Sequence, residues 1–323
     1  VMGLAEVLVH LPGLLRLRRR IGAHFIDHPP DVFVGIDAPD FNLSLERTLR
    51  QRGITTLHWV SPSVWAWRRY RLAKIRASVD LMMTLFPFEA RFYAEQGMPA
   101  AYVGHPLADE IPLAGKGPAI AGANACSGAA GCVALLPGSR MAELRRLLPV
   151  FLETARLCVE ARPGLRFVLP VAAPHLMRLC RQWLRKRAYA ALPVRLLDGN
   201  ARQAMAAADA VLVASGTATL ECLLLGRPMI VAYRLHPLSY PLVKHMLKVP
   251  FVSLPNLLLG AKRVPEYLQN EARPRRLAAA VLELLEDPQL AARQTQAFQT
   301  VHHELRQQAA ERAAALVLER AGQ

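Results

Sequence analysis

The stretch AVLVASGTATLECLLLGRPMIV, residues Ala210–Val231, decides the fold. Ala210–Ala214 is a short apolar run rich in Val and Leu, the pattern of a strand buried on both faces in a parallel sheet. Ser215-Gly216-Thr217-Ala218-Thr219 is small and hydroxylic, and a helical pattern over Leu220–Leu225 is closed by Gly226 and Pro228. Met229–Ala232 is apolar again, so the whole reads as one βαβ unit. A helix that opens directly after a small-residue turn offers unpaired amides and a positive dipole end, which suits a phosphate. Glu221, one turn inside, is placed to take both hydroxyls of a ribose. Plain Ser/Thr capping of a crossover helix gives the same composition, so the neighbouring stretches must choose.

The same plan recurs at Cys132–Leu136, a strand followed by Pro137-Gly138-Ser139-Arg140 and a helical pattern over Ala142–Glu160. Gly138 permits close backbone approach, and Arg140 sets a guanidinium fork beside the helix N-terminus, an arrangement that holds a diphosphate. Arg166–Val171 and Val194–Leu197 add strands, Met205–Asp209 belongs to a short helix, and together these units predict a doubly wound sheet. An earlier set of strands, Asp31–Ile36, Thr55–Val60, Leu81–Leu85 and Ala101–Gly104, predicts another, with helices over Ser44–Gln51 and Phe88–Gln96. Between the two sets, 113–131 is Gly/Ala-rich and aperiodic, a linker. The expected organisation is therefore α/β, with domains at 1–112 and 132–290. Helical patterns follow at Arg273–Glu286 and Leu290–Glu319, and residues 291–323 form a C-terminal helix packing back or onto a partner chain, a homodimer in the second case. Tyr233–Asn256 is proline-rich and reads as a loop-helix-loop that covers a site.

In open α/β sheets, chemistry collects at the carboxyl ends of strands. Asp37 stands at such an end, before the turn Ala38–Asn42, and apolar neighbours there would favour proton abstraction. A helix-capping Asp occupies the same kind of place. His105, at another strand end, reads as structural, with substrate contact as the lesser alternative.

Composition narrows the function. A chain of 323 residues, 53% hydrophobic, can bury two ordinary cores. A net charge of +15 calls for an anionic partner: nucleic acid, an acidic membrane surface or a phosphorylated substrate. Trp65 and Trp67 beside a basic run could stack on bases, but no nucleic-acid recognition module is present. Five cysteines show no CxxC and no metal spacing, which points to a reducing compartment. The apolar run Ala204–Gly226 carries Asp209 and Glu221, so it predicts no membrane span. Residues 1–20, VMGLAEVLVHLPGLLRLRRR, put the positive charge after the apolar region, which argues against a signal peptide. Two readings stand level. In one, an interfacial helix lays Leu4, Val7, Leu8, Leu11, Leu14 and Leu15 into lipid and sets Arg16, Arg18 and Arg19 against anionic head groups. In the other, a core helix packs under a sheet. Pro12-Gly13 is expected to break the helix.

Seven stretches in register carry a resemblance: VFVGIDAPDFN (32–42), VSPSVWAWR (60–68), GHPLAD (104–109), LLPGSR (135–140), LLDG (196–199), ASGTATLE (214–221) and VSLPNLL (252–258). Together they resemble the lipid-A-disaccharide synthases, bacterial inverting glycosyltransferases with two Rossmann-like domains facing a cleft, the GT-B architecture. The resemblance implies transfer of diacylglucosamine from UDP-diacylglucosamine to the six-hydroxyl of diacylglucosamine-1-phosphate (lipid X), giving a β-linked disaccharide phosphate and UDP. It implies that Asp37 is the general base and Arg140 the phosphate contact. Gly138, Ser139, Ser215, Gly216, Thr217 and Glu221 would hold UDP, with Asn256 near the donor. No metal and no cofactor are implied, since UDP-sugar is a substrate. A peripheral protein on the cytoplasmic face of a Gram-negative inner membrane is expected, with no nucleic-acid partner. The family opens with a strand, a glycine-rich turn, a helix and a second strand ahead of the region matching Val1, so the N-terminal domain is expected to be incomplete. The alternatives are another GT-B enzyme of UDP-N-acetylglucosamine, a 2-epimerase or a peptidoglycan-precursor transferase, and a non-catalytic lipid or nucleic-acid binder.

Overall fold

The computed structural model describes residues 4–66, 69–113, 130–235 and 249–322, with side chains from His10 onward. Most of the expected 113–131 linker, the centre of the 233–256 segment, Trp67 and the side chains of Leu4, Val7 and Leu8 lie outside the described residues. Contacts divide the chain into two units.

The first unit holds the described residues up to Asp109 and those from Leu305 onward. Its sheet runs β1 (Val32–Ile36), β2 (Thr55–Trp59), β3 (Leu81–Thr84), β4 (Ala100–Tyr102), all parallel and in sequence order. β3 is buried along its length, whereas β1 is an edge strand and only half-buried. The crossovers are α2 (Pro39–Arg50), α3 (Leu72–Arg76) and α4 (Pro87–Glu95), with α1 (Leu4–Asp27) ahead of the sheet and α5 (Pro106–Glu110) after it. Leu45 and Leu49, one turn apart on α2, meet Ile21, Phe25 and Ile26 of α1 and Phe33 of β1. Thus the C-terminal half of α1 is a core helix. Its earlier turns expose Leu11, Leu14 and Leu17 at 39%, 39% and 47%.

Contrary to expectation, α1 runs unbroken through Pro12. Pro12 lies on an exposed stretch, where water can take the carbonyl that the missing amide leaves open.

The second unit holds the described residues from Glu110 to Glu304. Its strands are β5 (Cys132–Leu136), β6 (Arg166–Val171), β7 (Val194–Asp198), β8 (Ala210–Ala214), β9 (Met229–Tyr233) and β10 (Glu266–Leu268), ordered β10-β9-β8-β5-β6-β7 and all parallel. The chain steps outward from β5 to β7 on one side, then returns to lay β8 beside β5 and steps outward on the other. The order therefore reverses between β5 and β8, where Leu136 pairs with Val213. Helices α6 (Met141–Ala161), α7 (Pro174–Leu184), α8 (Ala201–Ala207), α9 (Thr217–Leu224), α10 (Leu254–Leu259) and α11 (Pro274–Glu286) cover it. Leu147, Phe151 and Ala155 of α6 share one core with Leu277 and Val281 of α11 and the β5 and β8 side chains.

Elements not expected from sequence include α5, α7 and β10. α7 is short and carries a strongly basic outer face, and β10 is three residues with a charge at its start. In addition, α8 takes in Met205 as expected but ends at Ala207, short of Asp209, and Asn200 takes a left-handed turn just ahead of its start. The expected helix Leu290–Glu319 is instead two, α12 (Pro288–Leu305) and α13 (Ala309–Ala321). The break has a physical cause within GHPLAD. The Asp109 carboxylate accepts the Gln308 and Ala309 amides at 2.9 and 2.7 Å, capping α13, and Gln308 is left-handed with φ 57°. The His105 amide donates to the Leu305 carbonyl at 2.9 Å. α13 then packs back on the first sheet, with Ala313 among Leu57, Leu81, Met83 and Val103.

His105 is structural in this setting. Burial pushes its pKa down to about 4, so the ring is neutral at pH 7, and its Nδ1 accepts the Leu107 amide. Trp65 is also engaged: its indole N–H donates to Glu89 at 3.0 Å and its ring meets Phe88 edge-on. Glu89 further accepts the Leu85 and Phe86 amides, capping α4, and burial pushes its pKa up to about 7.

Candidate active site

At the carboxyl ends of β5 and β8, where the strand order of the second unit reverses, lies a cavity of about 500 Å³. This is where open α/β sheets place their ligands, because the crossovers on either side lead to opposite faces and leave a crevice. One wall is Gly138, Ser139 and Arg140; the other is Ser215, Gly216, Thr217 and Glu221. All seven were expected from sequence.

Each wall is a strand-to-helix turn. Gly138 has φ +117°, and a Cβ there would stand 2.7 Å from the Glu143 Cβ, so the turn requires glycine. Gly216, at φ 155° and ψ −164°, is in a region only glycine occupies readily, with open space where a Cβ would be. The amides of Thr217 and Ala218 open α9 at the cavity edge, and the Thr219 hydroxyl ties the turn by donating to the Gly216 carbonyl at 2.7 Å. Unpaired amides and the dipole of α9 thus meet the same space as Arg140.

The charges are arranged for an anion that must displace existing partners. Arg140, half-exposed, pairs with Glu143 at 3.2 Å. Glu221 accepts from Arg202 at 3.5 Å, and Arg202 also reaches Glu110 at 3.1 Å. Glu143 and Tyr233 line the cavity and were not singled out from sequence. Arg202 was not either. Glu143 lies three residues after Arg140 on one helix face, a spacing that could have been read; Arg202 comes from the α8 crossover and Tyr233 from the end of β9, and neither leaves a local signal.

Asn256 does not line the cavity. It is fully buried on α10, and its amide nitrogen donates to the Val264 carbonyl and to Glu266, both at 2.8 Å. Its oxygen accepts the Arg263 and Val264 amides, both at 2.9 Å. Glu266 also holds the Val252 and Ser253 amides and the Ser253 hydroxyl. The Val252 carbonyl in turn accepts the Ser215 hydroxyl at 3.3 Å. The VSLPNLL stretch is therefore a brace behind the Ser215 wall.

In the first unit, Asp37 ends β1 as expected, but its carboxylate is exposed rather than set among apolar side chains. Its carbon neighbours are not buried either: Ile36 is 58% exposed. Asp37 and Ala38 are both left-handed, with φ 49° and 42°. The Asn42 amide nitrogen donates to the Ile36 and Asp37 carbonyls at 3.1 and 2.8 Å and ties the turn. Asn42 completes the IDAPDFN stretch, so part of that motif holds the backbone that carries Asp37.

Among the described residues, no group of three or more His, Cys, Asp or Glu is placed to hold a metal ion. No described helix is long and apolar enough to cross a membrane.

A family model described as lipid-A-disaccharide synthetase matches residues 1–320. The chain belongs to the lipid-A-disaccharide synthase family. The synthase of Azotobacter vinelandii is 53% identical over 320 residues, 99% of this chain and 83% of that protein. That of Pseudomonas savastanoi pv. phaseolicola is 52% identical over 323 residues, 100% of this chain and 83% of that protein. Among solved structures, the calicheamicin glycosyltransferase superposes with a TM-score of 0.59 at 16% identity, covering 100% of this chain and 82% of that one. A UDP-N-acetylglucosamine 2-epimerase gives a TM-score of 0.56 at 14% identity, covering 90% and 76%. At such identities only the fold is shared, and transferase and epimerase share it alike. The family match therefore decides against the epimerase and non-catalytic readings: this lipid-A-disaccharide synthase family member is a hexosyltransferase with the two-Rossmann GT-B fold.

Proposed function

We propose that the chain transfers diacylglucosamine from UDP-diacylglucosamine to the six-hydroxyl of lipid X, releasing UDP and a β-linked disaccharide phosphate with inversion. The observation that carries this reading is the cavity at the β5/β8 reversal. There a guanidinium, two glycine turns and a helix N-terminus converge on a volume suited to a nucleoside diphosphate.

Arg140 leaves Glu143 for the diphosphate, and the Thr217 and Ala218 amides bind the remaining oxygens. Glu221 takes the ribose hydroxyls once Arg202 holds it in place. Asp37 accepts the proton of the six-hydroxyl as that oxygen attacks the anomeric carbon. The bond from that carbon to the diphosphate oxygen breaks, and the electron pair leaves with UDP. Arg140 and the α9 dipole stabilise the charge that grows on the leaving group, the task a divalent ion performs in other transferases. Asn256 acts from behind, through Glu266 and Val252, on Ser215. The exposed leucines of α1, with Arg16 and Arg19 beside them, rest on an anionic inner-membrane surface, where double-tailed substrates reside.

The test uses the chain with both lipid substrates in mixed micelles, following UDP release, and UDP binding by calorimetry. Asp37→Asn should stop release and leave UDP binding unchanged. Release at the parental rate would remove Asp37 from the mechanism, and a parent that does not bind UDP would overturn the whole reading.

A further inference from the structure

The first unit carries a second concentration of positive charge, on α1, α2 and α3. Between α1 and α2 runs a groove of about 430 Å³ lined on its polar side by Arg18, Ser44 and Thr48 and on its apolar side by Ala23, Ile26 and Leu45. Behind it, the Lys74 ammonium reaches forward to donate to the Ser44 hydroxyl at 3.0 Å. A neutral hydroxyl is a weak partner for an ammonium, and the cations nearby are not matched by acids. Arg71 pairs with Asp40, whose own side chain is 80% exposed. Arg18 and Arg47 have no carboxylate partner among the described residues. Burial first, then the charges of Arg71, Arg18 and Arg47, hold the Lys74 amine below its ordinary value against the opposing pull of Asp40. Lys74 and the three arginines that act on it, with one acid among them, leave a local excess of positive charge that a dianion relieves.

We infer that Arg18, Ser44 and Lys74 form a seat for a phosphate monoester carried by an amphiphile, and that the acceptor's phosphate occupies it. The inference rests on the function proposed above for its choice of amphiphile. A hydroxyl, an ammonium and a guanidinium supply donors of three geometries to one set of phosphate oxygens. The apolar side of the groove, and the exposed Leu11, Leu14 and Leu17 earlier on α1, offer a path for acyl chains that a free phosphate does not need. Ser44 lies five residues into α2, about 7.5 Å along its axis, and Asp37 stands just ahead of that helix. One rigid element therefore spaces the seat from the base on the scale of a sugar ring.

The experiment titrates the full chain with four probes: an acylated glucosamine 1-phosphate in neutral micelles, the same amphiphile without phosphate, inorganic phosphate, and phosphatidylglycerol vesicles. UDP binding is measured in parallel. The parent should bind the phosphorylated amphiphile at least about tenfold more tightly than the phosphate-free one, and Lys74→Gln and Arg18→Gln should each remove about tenfold of that gap. Binding of the phosphate-free amphiphile and of UDP should not change in either variant. Should Lys74→Gln fail to fold, Arg18→Gln, at a half-buried position on α1, reads the same gap. Equal binding of the two amphiphiles, with UDP binding intact, refutes the seat and leaves the proposed function standing. Inorganic phosphate binding as tightly as the amphiphile, or weaker vesicle binding with no change in the gap, overturns it in favour of a free-phosphate site or a bilayer contact. Loss of UDP binding by the parent removes the proposed function and the inference together.

Discussion

Asn256→Ala separates a brace from a ligand contact. The native amide makes four hydrogen bonds in a fully buried setting, to Val264 twice, to Arg263 and to Glu266. Alanine strands the Val264 amide and carbonyl, while the exposed Arg263 amide keeps the Ala261 carbonyl at 3.0 Å and Glu266 keeps its Ser253 and Val252 donors. Each of these two buried orphans costs about 1–3 kcal/mol, and the effects overlap, so the loss should be about 2–4 kcal/mol. For a unit of this size that lowers the melting temperature by about 5 °C or more. Calorimetric melting gives the first number, and UDP titration well below the transition gives the second. UDP affinity should stay within about threefold of the parent, since the lost side chain touches the site only through Glu266, Val252 and Ser215. Asn256→Asp sharpens the test. The introduced carboxylate meets Glu266 across the former 2.8 Å contact, which raises the pKa of the pair above its unfolded value. Stability is then present at low pH and lost as pH rises through the raised pKa, so the variant should be worse at pH 8 than at pH 5. A variant that melts within about 2 °C of the parent yet binds UDP more than about tenfold more weakly would make Asn256 a ligand contact and sink the brace.

Arg140→Ala should weaken UDP binding by about ten- to a hundredfold with almost no change in melting, because a half-exposed ion pair stabilises little. Glu143→Gln should do the reverse, tightening UDP a few-fold by freeing Arg140 and removing a like charge from the cavity; weaker binding would show that Glu143 itself contacts the ligand. Burial pushes the folded pKa of Glu89 up to about 7 from an ordinary value of 4.5, so its contribution to stability is complete below about 4.5 and is lost as pH rises toward 7. Glu89→Gln should therefore lose its disadvantage relative to the parent across that window, measured by urea unfolding at several pH values. His105, whose folded pKa is lowered, runs the opposite way in both proteins and cancels in the comparison. A difference that does not vary with pH would mean Glu89 is ionised throughout. Replacing Leu11, Leu14 and Leu17 together by Ser should reduce binding to anionic vesicles without lowering the melting temperature, and an unchanged vesicle affinity would exclude α1 from the membrane face.

Several features of this protein were legible in the chain alone, and for one reason: they depend on neighbours a few residues apart. Val211, Leu212 and Val213 read as a buried strand because an apolar run of that length has no other stable place. Gly138 and Gly216 read as turns because only glycine takes those backbone angles, and the strand-turn-helix units that place Arg140, Thr217 and Glu221 follow directly. Tertiary structure decided what depends on distant segments. Asn256 has the composition of a site residue, yet the Glu266 carboxylate and the Val264 backbone close around it. Asp109, expected in a motif and nothing more, caps a helix that begins at Ala309, and so splits what periodicity alone reads as one helix. Arg202 reaches Glu221 and Glu110 from a third crossover, and Lys74 reaches Ser44 from another helix. Local sequence sets backbone conformation over a turn or two. Which buried polar groups find one another is settled only when the crossovers pack, because each must be satisfied by whatever the rest of the chain brings alongside.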